Sequence, residues 1–330
     1  MKKVTALLLA VSLFTISLTG CGKKEPELTK VTLSEVAHSI FYAPQYAAIE
    51  LGYFKDEGIN LNLVNGAGAD KVMTALISGD ADIGFMGSEA SVYVYQEGSE
   101  DYAVNFAQLT QRAGNFLVGR QPEPNFSWGN LKGKKVLGGR AGGMPEMIFE
   151  YILKKNGMDP KVDLTIDQSV NFGLTAAAFT GNDFDYTVEF EPFATGLEKE
   201  GNGVVVASLG MDSGYVPYTA YSAKKSFLEN NSEVVQGFTN AIQRGLEYVN
   251  THSSEEIAKV IKPQFKETDE STIASIVERY KEQDTWKGDT IFEKSSFDLL
   301  QNILEEAGEL TARVPYEKLV VTGFSEKAVN

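Results

Sequence analysis

The feature that most constrains the fold is an alternation that starts twice. From Val31 onward, short apolar runs with strand-like patterning alternate with helical segments, and past Gln121-Pro122-Glu123-Pro124 the same order begins again. Strands separated by helices build parallel sheets from βαβ units. The pattern therefore predicts an α/β chain with two lobes. Segments 31–33, 59–64, 82–85, 104–109 and 116–118 read as strands of the first series, and 135–137, 162–166, 184–188 and 204–209 as strands of the second. Among the helices, Pro44 falls in a first turn that Gly52 later terminates, and Asp70 and Ser88 are expected to cap two more. Pro145 opens another, with Glu146 in its first turn and Lys154 and Lys155 in its last, as the helix dipole favours. From Ser222 the chain turns helical. Val235, Phe238, Ile242, Leu246 and Val249 keep one face of a helix, as do Ile273, Ile276, Val277 and Tyr280, and then Phe297, Leu300 and Leu304. Such stripes are core faces.

The amino terminus reads as an export signal. Lys2 and Lys3 precede an apolar and small-residue run that ends in Leu18-Thr19-Gly20-Cys21. A basic start, a short apolar stretch and a small-residue exit describe a secretory leader over residues 1–20. An uncleaved anchor helix is the competing reading, but the run is short for a span. The Leu-x-Gly-Cys ending resembles the bacterial lipobox, which implies lipid attachment at Cys21. Residues 21–30 read as a polar tether. Removing the leader leaves 310 of 330 residues and takes away two lysines, so the net charge goes from −15 to −17.

Composition then removes whole function classes. With 45 acidic against 30 basic residues, the chain lacks the clustered Lys and Arg that nucleic acid requires. Two His and a single Cys cannot build the usual zinc sites, and that Cys excludes an internal disulfide. No Ser/His/Asp set and no paired acids at catalytic spacing emerge, so no enzyme, metal site or cofactor is expected.

In α/β sheets ligands bind beyond the carboxyl ends of the strands, which nominates five loops. Ser39, Phe41 and Tyr42 stand at a strand-to-helix junction, where the rings either stack on a planar ligand or plug the helix start. Ser88 and Glu89 open the next helix, while His38 nearby reads as a structural histidine. Gln111, Arg112 and Asn115 lie between two strands and either hold a polar ligand group or form a surface turn. In Gly138-Gly139-Arg140-Ala141-Gly142-Gly143-Met144 the glycines leave the first helix N–H groups open to an anion or electron-rich atom, tight packing being the alternative. The spacing is not that of a P-loop. Glu189 and Glu191 flank Phe190 and share a strand face, ready for an amine or an aminopyrimidine edge unless they form a solvated acidic rim. Asn171 and Tyr218 complete the candidate set.

One stretch carries a family likeness. His38-Ser-Ile-Phe-Tyr-Ala-Pro-Gln-Tyr-Ala-Ala-Ile-Glu-Leu-Gly-Tyr-Phe-Lys-Asp-Glu-Gly-Ile59 resembles the opening of the SsuA/THI5-like (NMT1-like) substrate-binding lipoproteins of ABC importers for nitrate, sulfonates, taurine and thiamine pyrimidine precursors. The segments 66–68, 73–84, 138–144 and 181–192 fit the same layout. The resemblance implies a type II periplasmic-binding-protein fold, each lobe a mixed sheet flanked by helices, with the helical C-terminal segment packed on the first lobe. Lobe I is expected over 31–119 and 222–330 and lobe II over 120–221, with hinges at 118–121 and 218–223. A monomer is expected that sits on the outer face of the cell membrane and delivers solute to a permease and its ATPase. A planar nitrogenous ligand is favoured by the rings and acids; an alkyl sulfonate, taurine or nitrate is the alternative, and a ligand sensor for a membrane receptor is the other class.

Overall fold

The computed structural model describes residues 27–170 and 173–330. Cys21, the leader and Asn171 lie outside the described residues. In chain order the strands are β1 (Thr29–Glu35), β2 (Ile59–Asn65), β3 (Ile83–Gly87), β4 (Ala103–Thr110), β5 (Phe116–Gly119), β6 (Lys135–Leu137), β7 (Thr165–Asp167), β8 (Tyr186–Glu189), β9 (Val204–Ser208) and β10 (Thr219–Lys224). They form two five-stranded sheets, β2-β1-β3-β10-β4 and β7-β6-β8-β5-β9. In the first, β2, β1 and β3 run parallel and β10 is antiparallel to both β3 and β4. The second repeats this: β7, β6 and β8 are parallel, and β5 is antiparallel to both β8 and β9. Each sheet thus takes its fourth strand from the segment that has just crossed over from the other lobe.

That exchange moves the expected lobe boundaries. β5 hydrogen-bonds into the second sheet and β10 into the first, so the chain crosses at 111–115 and again at 209–218. Of the segments expected as hinges, 118–119 and 219–223 lie in strands paired on both sides, while 120–121 and 218 lie just outside them. The Pro-rich stretch at 121–124 marks the turn after β5 rather than the crossing. Three smaller expectations also change. Thr29 and Lys30 pair with Ile59 and Asn60, so the strand begins inside the expected tether. Residues 162–164 form no strand, because Asp159 and Asp163 close a turn through Asp163 N–H to Asp159 O at 2.8 Å and leave Val162 exposed. Asp70 is the second residue of the helix Ala69–Ser78, whose cap is Gly68.

The helical C-terminal segment buries the expected stripes. Val235, Phe238, Ile242, Leu246 and Val249 are fully buried on the helix Ser232–Thr251, which packs on the first-lobe helix Ala43–Glu50. Full burial of such a side chain contributes about 1.5–3 kcal/mol. This segment also buttresses the second lobe. The helix Lys294–Ala307 packs on Met144–Lys155, where Lys154 Nζ donates to Glu306 O at 2.7 Å. Arg279, on the helix Glu270–Glu282, pairs with Glu191 at 2.6 Å and Glu198 at 3.0 Å. No helix among the described residues is long and apolar enough to cross a membrane.

Candidate functional site

A cavity of about 280 Å³ lies between the lobes, at the carboxyl ends of the parallel strands. Its first-lobe wall comes from Val36 and Tyr42 after β1, from residues 67–71 at the start of the helix Ala69–Ser78, and from Gly87 at the end of β3 with Glu89 beyond it. The second lobe supplies Gly139, Arg140 and residues 143–145, at the start of the helix Met144–Lys155, with Phe190 after β8. Tyr218, on the second crossing, and Thr219 close the wall. Two helix amino termini therefore open on one space, each bringing the positive end of a helix dipole.

Three aromatic rings bound this space. Tyr42 packs edge-on against Phe85 with centroids 4.5 Å apart, and Phe190 and Tyr218 meet at 6.2 Å. Phe41 stands behind them, its ring against Tyr42, Phe190, Tyr218 and Tyr280. Phe41 is wholly buried and does not line the cavity, so it holds the cavity rings in place.

Glu89 is the most unusual polar group here. It is 2% exposed, and its Oε2 has no hydrogen-bond partner. Burial pushes its carboxyl up to about 7, against the pull of its own N–H, the Arg140 charge and the Met144 N–H. The carboxyl folds back over Gly87, where an added Cβ would stand 2.1 Å from Oε2. A side chain at residue 87 would force it away. Ser88 is turned elsewhere: its Oγ donates to Pro217 O, so it does not cap its own helix.

The remaining expected residues fall into three groups. Arg140, Gly143 and Met144 line the cavity, while Gly142 lies behind it, its N–H on Glu146 and its carbonyl accepting from Tyr93 Oη at 3.1 Å. Asn115 and Glu189 do not reach the main cavity. They line a side chamber of about 20 Å³ that shares Gly139, Pro145 and Phe190 with it. There Tyr218 Oη donates to Asn115 Oδ1 at 2.6 Å and leaves Asn115 Nδ2 without a partner. Glu189 is pushed up to about 7 by burial, with the Thr187 and Thr175 hydroxyls pulling it back.

The third group is engaged in the architecture. Gln111 donates to Asp284 O, and Arg112 donates to Gly210 O and lies over the Tyr215 ring at 4.2 Å. Ser39 Oγ donates to Glu191 O at 2.8 Å, across the lobes. Glu191 stands beyond the end of β8, so it does not share a strand face with Glu189 as expected. Its carboxylate is taken up by Arg279, Thr195 N–H and Thr195 Oγ1. His38 is likewise structural, set between Glu35 Oε1 at 2.7 Å and Gln264 O at 2.9 Å.

Sequence reasoning missed Val36, Thr219 and the 67–71 wall as site residues. The signal for that wall was Gly66-Ala-Gly-Ala-Asp70, a second glycine-bearing loop that opens a helix.

Residues 40–256 match the family model described as NMT1/THI5 like. The chain belongs to that family. It is 43% identical over 319 residues to "Putative binding protein YtlA" of Bacillus subtilis (strain 168), covering 97% of this chain and 96% of the relative. The fold is that of the periplasmic nitrate-binding protein NrtA from Synechocystis PCC 6803, with a TM-score of 0.75, 16% identity and coverage of 92% and 89% of the two chains. The alkanesulfonate-binding protein SsuA from Xanthomonas axonopodis pv. citri, solved with MOPS, is similar at a TM-score of 0.69, 16% identity and coverage of 91% and 99%. The type II binding-protein architecture expected from the sequence is the one observed.

Proposed function

We propose that this NMT1/THI5-like chain is the extracytoplasmic solute-binding component of an ABC importer. It closes on a small planar nitrogenous compound, of the thiamine-pyrimidine-precursor kind, and presents it to the permease and its ATPase. One observation carries this reading: the 280 Å³ cavity takes its walls from both lobes and is bounded by Tyr42, Phe190 and Tyr218. A space of this kind is completed only when the lobes meet, which is how a binding protein couples capture to a shape that a permease can read. The Leu18-Thr19-Gly20-Cys21 ending supports lipid attachment at Cys21 as the membrane tether.

A second reading rests on its own observation. The helix starts at Ala69 and Met144 face the same cavity together with Lys71 and Arg140, a setting that suits an anion. An alkyl sulfonate, taurine or nitrate is then the ligand, as the names of the similarly folded NrtA and SsuA would suggest.

A thermal-shift screen with both ligand sets separates the readings. A true ligand at about 100 times its Kd adds roughly 2.7 kcal/mol of stability. It should also shrink the radius measured by solution scattering. Stabilisation by aminopyrimidines with a smaller radius supports the first reading, and stabilisation by sulfonate or nitrate alone supports the second. An unchanged radius at saturation contradicts closure.

A further inference from the structure

The helix start at Gly143–Met144 is the natural anion seat of this cavity, with Arg140 beside it. Gly143, the cap residue, offers no side chain to it. The group that faces it comes instead from the other lobe: Glu89 lines the same cavity as Gly143 and Met144, and the Met144 N–H draws its carboxyl toward the charged form. Two independent features keep Glu89 there. Gly87 leaves room for the carboxyl to fold back over the end of β3. Burial at 2% exposure denies it water.

We infer that the Glu89 carboxyl occupies the seat that a ligand anion would take and becomes a resident anion when a solute donor meets its unpartnered Oε2. The Met144 helix start is then closed to sulfonate-like and nitrate-like ligands, and the acceptor in its place favours planar molecules that donate N–H groups. The physical ground is a charge balance. A buried carboxylate without a full set of partners is unfavourable until a donor meets it. A second anion beside it adds like-charge repulsion in a cavity that screens weakly. The inference rests on the interlobe cavity being the solute site, and it specifies which ligand chemistry that site admits.

The test uses isothermal titration of wild type, Glu89→Gln, Glu89→Ala and Gly87→Ala. The probes are benzamidine, a planar N–H donor, and methanesulfonate, an anion without donors. Benzamidine should bind wild type and weaken by about 10- to 150-fold in Glu89→Gln, the range for losing a charge-assisted partner. Gly87→Ala should weaken it in the same direction by displacing the carboxyl, which keeps the test open should an 89 variant fold poorly. Methanesulfonate should bind Glu89→Ala at least about 10-fold more tightly than wild type, because the seat is vacated. Benzamidine unaffected by Glu89→Gln, or methanesulfonate binding wild type as tightly as Glu89→Ala, overturns the inference. So does the absence of binding by both probes in all four proteins, since the vacated helix start would then attract no anion. Lobe closure on some other solute, read by scattering, would survive each of those results, so the two readings fail separately.

Discussion

Glu89 and Glu191 occupy the same place in two sheets of the same strand order. Each stands two residues beyond the end of its sheet's third parallel strand, after Gly87 in one and after Glu189 in the other. Both are buried, at 2% and 0% exposure. Their surroundings differ completely. Glu191 is held by Arg279 at 2.6 Å and by two donors of Thr195, each at 2.9 Å, while its carbonyl accepts from Ser39. Glu89 has an unpartnered oxygen and a cavity in front of it. One topological position therefore serves as a structural tie between the second lobe and the C-terminal helices, and in the other lobe as a group left open to a solute. Burial alone does not tell the two roles apart; the completeness of the hydrogen bonding does.

Breaking the tie should have the largest effect. Arg279→Ala leaves the wholly buried Glu191 carboxylate with only its two Thr195 donors, and because Arg279 is itself partly exposed the loss should be about 3 kcal/mol at most. Denaturant unfolding of the ligand-free protein checks this. A loss below about 1 kcal/mol, the value of an ordinary surface pair, would mean that Glu191 is no tie.

The second effect is one of pH, and it belongs to the open carboxyl. Glu89 sits at about 7 in the folded chain, against an ordinary 4.5, because of burial. Between those values the folded state binds more protons than the unfolded, so stability falls as pH rises from about 4.5 to about 7 and levels off above. Glu89→Gln removes that dependence. The variant should lose about 2 kcal/mol less than wild type between pH 4.5 and 7.5. Glu189, raised to about 7 as well, and Glu191, also raised by burial, keep their own shares in both proteins. Equal pH slopes in the two proteins would mean that Glu89 is not raised by its burial and contributes nothing to the pH dependence.

The smallest effect concerns the contact between the lobes. Ser39→Ala removes the hydrogen bond to Glu191 O together with the long cap from Phe41 N–H at 3.3 Å, at the start of the turn that carries Tyr42, and should cost about 1 kcal/mol. A change in ligand affinity greater than the change in stability would show that Ser39 acts in the site rather than in the tie.

Most of the fold was legible because its signals are local. The apolar stripe from Val235 to Val249 and the punctuation at Gly52 and Pro145 report on chain within a few residues of themselves. The lobe boundaries were not legible in the same way. Whether Phe116–Gly119 joins the first or the second sheet depends on pairing with Tyr186–Glu189 and Val204–Ser208, some 70 to 90 residues away, and nothing in its own sequence encodes that partner. The site divides along the same line. The glycine-rich helix start at 138–144 and the ring of Tyr42 announced themselves by composition. The different fates of Glu89 and Glu191 did not, because each depends on residues far along the chain: Arg140 and Met144 for the first and Arg279 for the second. Phe41 and Tyr42 are neighbours with the same chemistry, and only the packing of Tyr280 and Tyr218 around Phe41 sends one inward and leaves the other at the cavity wall.

The most direct test is a crystal structure of the protein with the compound that stabilises it most in the thermal-shift screen. The account predicts that compound between Tyr42, Phe190 and Tyr218, with a nitrogen donor about 2.7–3.2 Å from Glu89 Oε2. It also predicts that Glu191 stays on Arg279. A compound bound outside the interlobe cavity would contradict it, as would an anionic group on the Met144 helix start with Glu89 swung away.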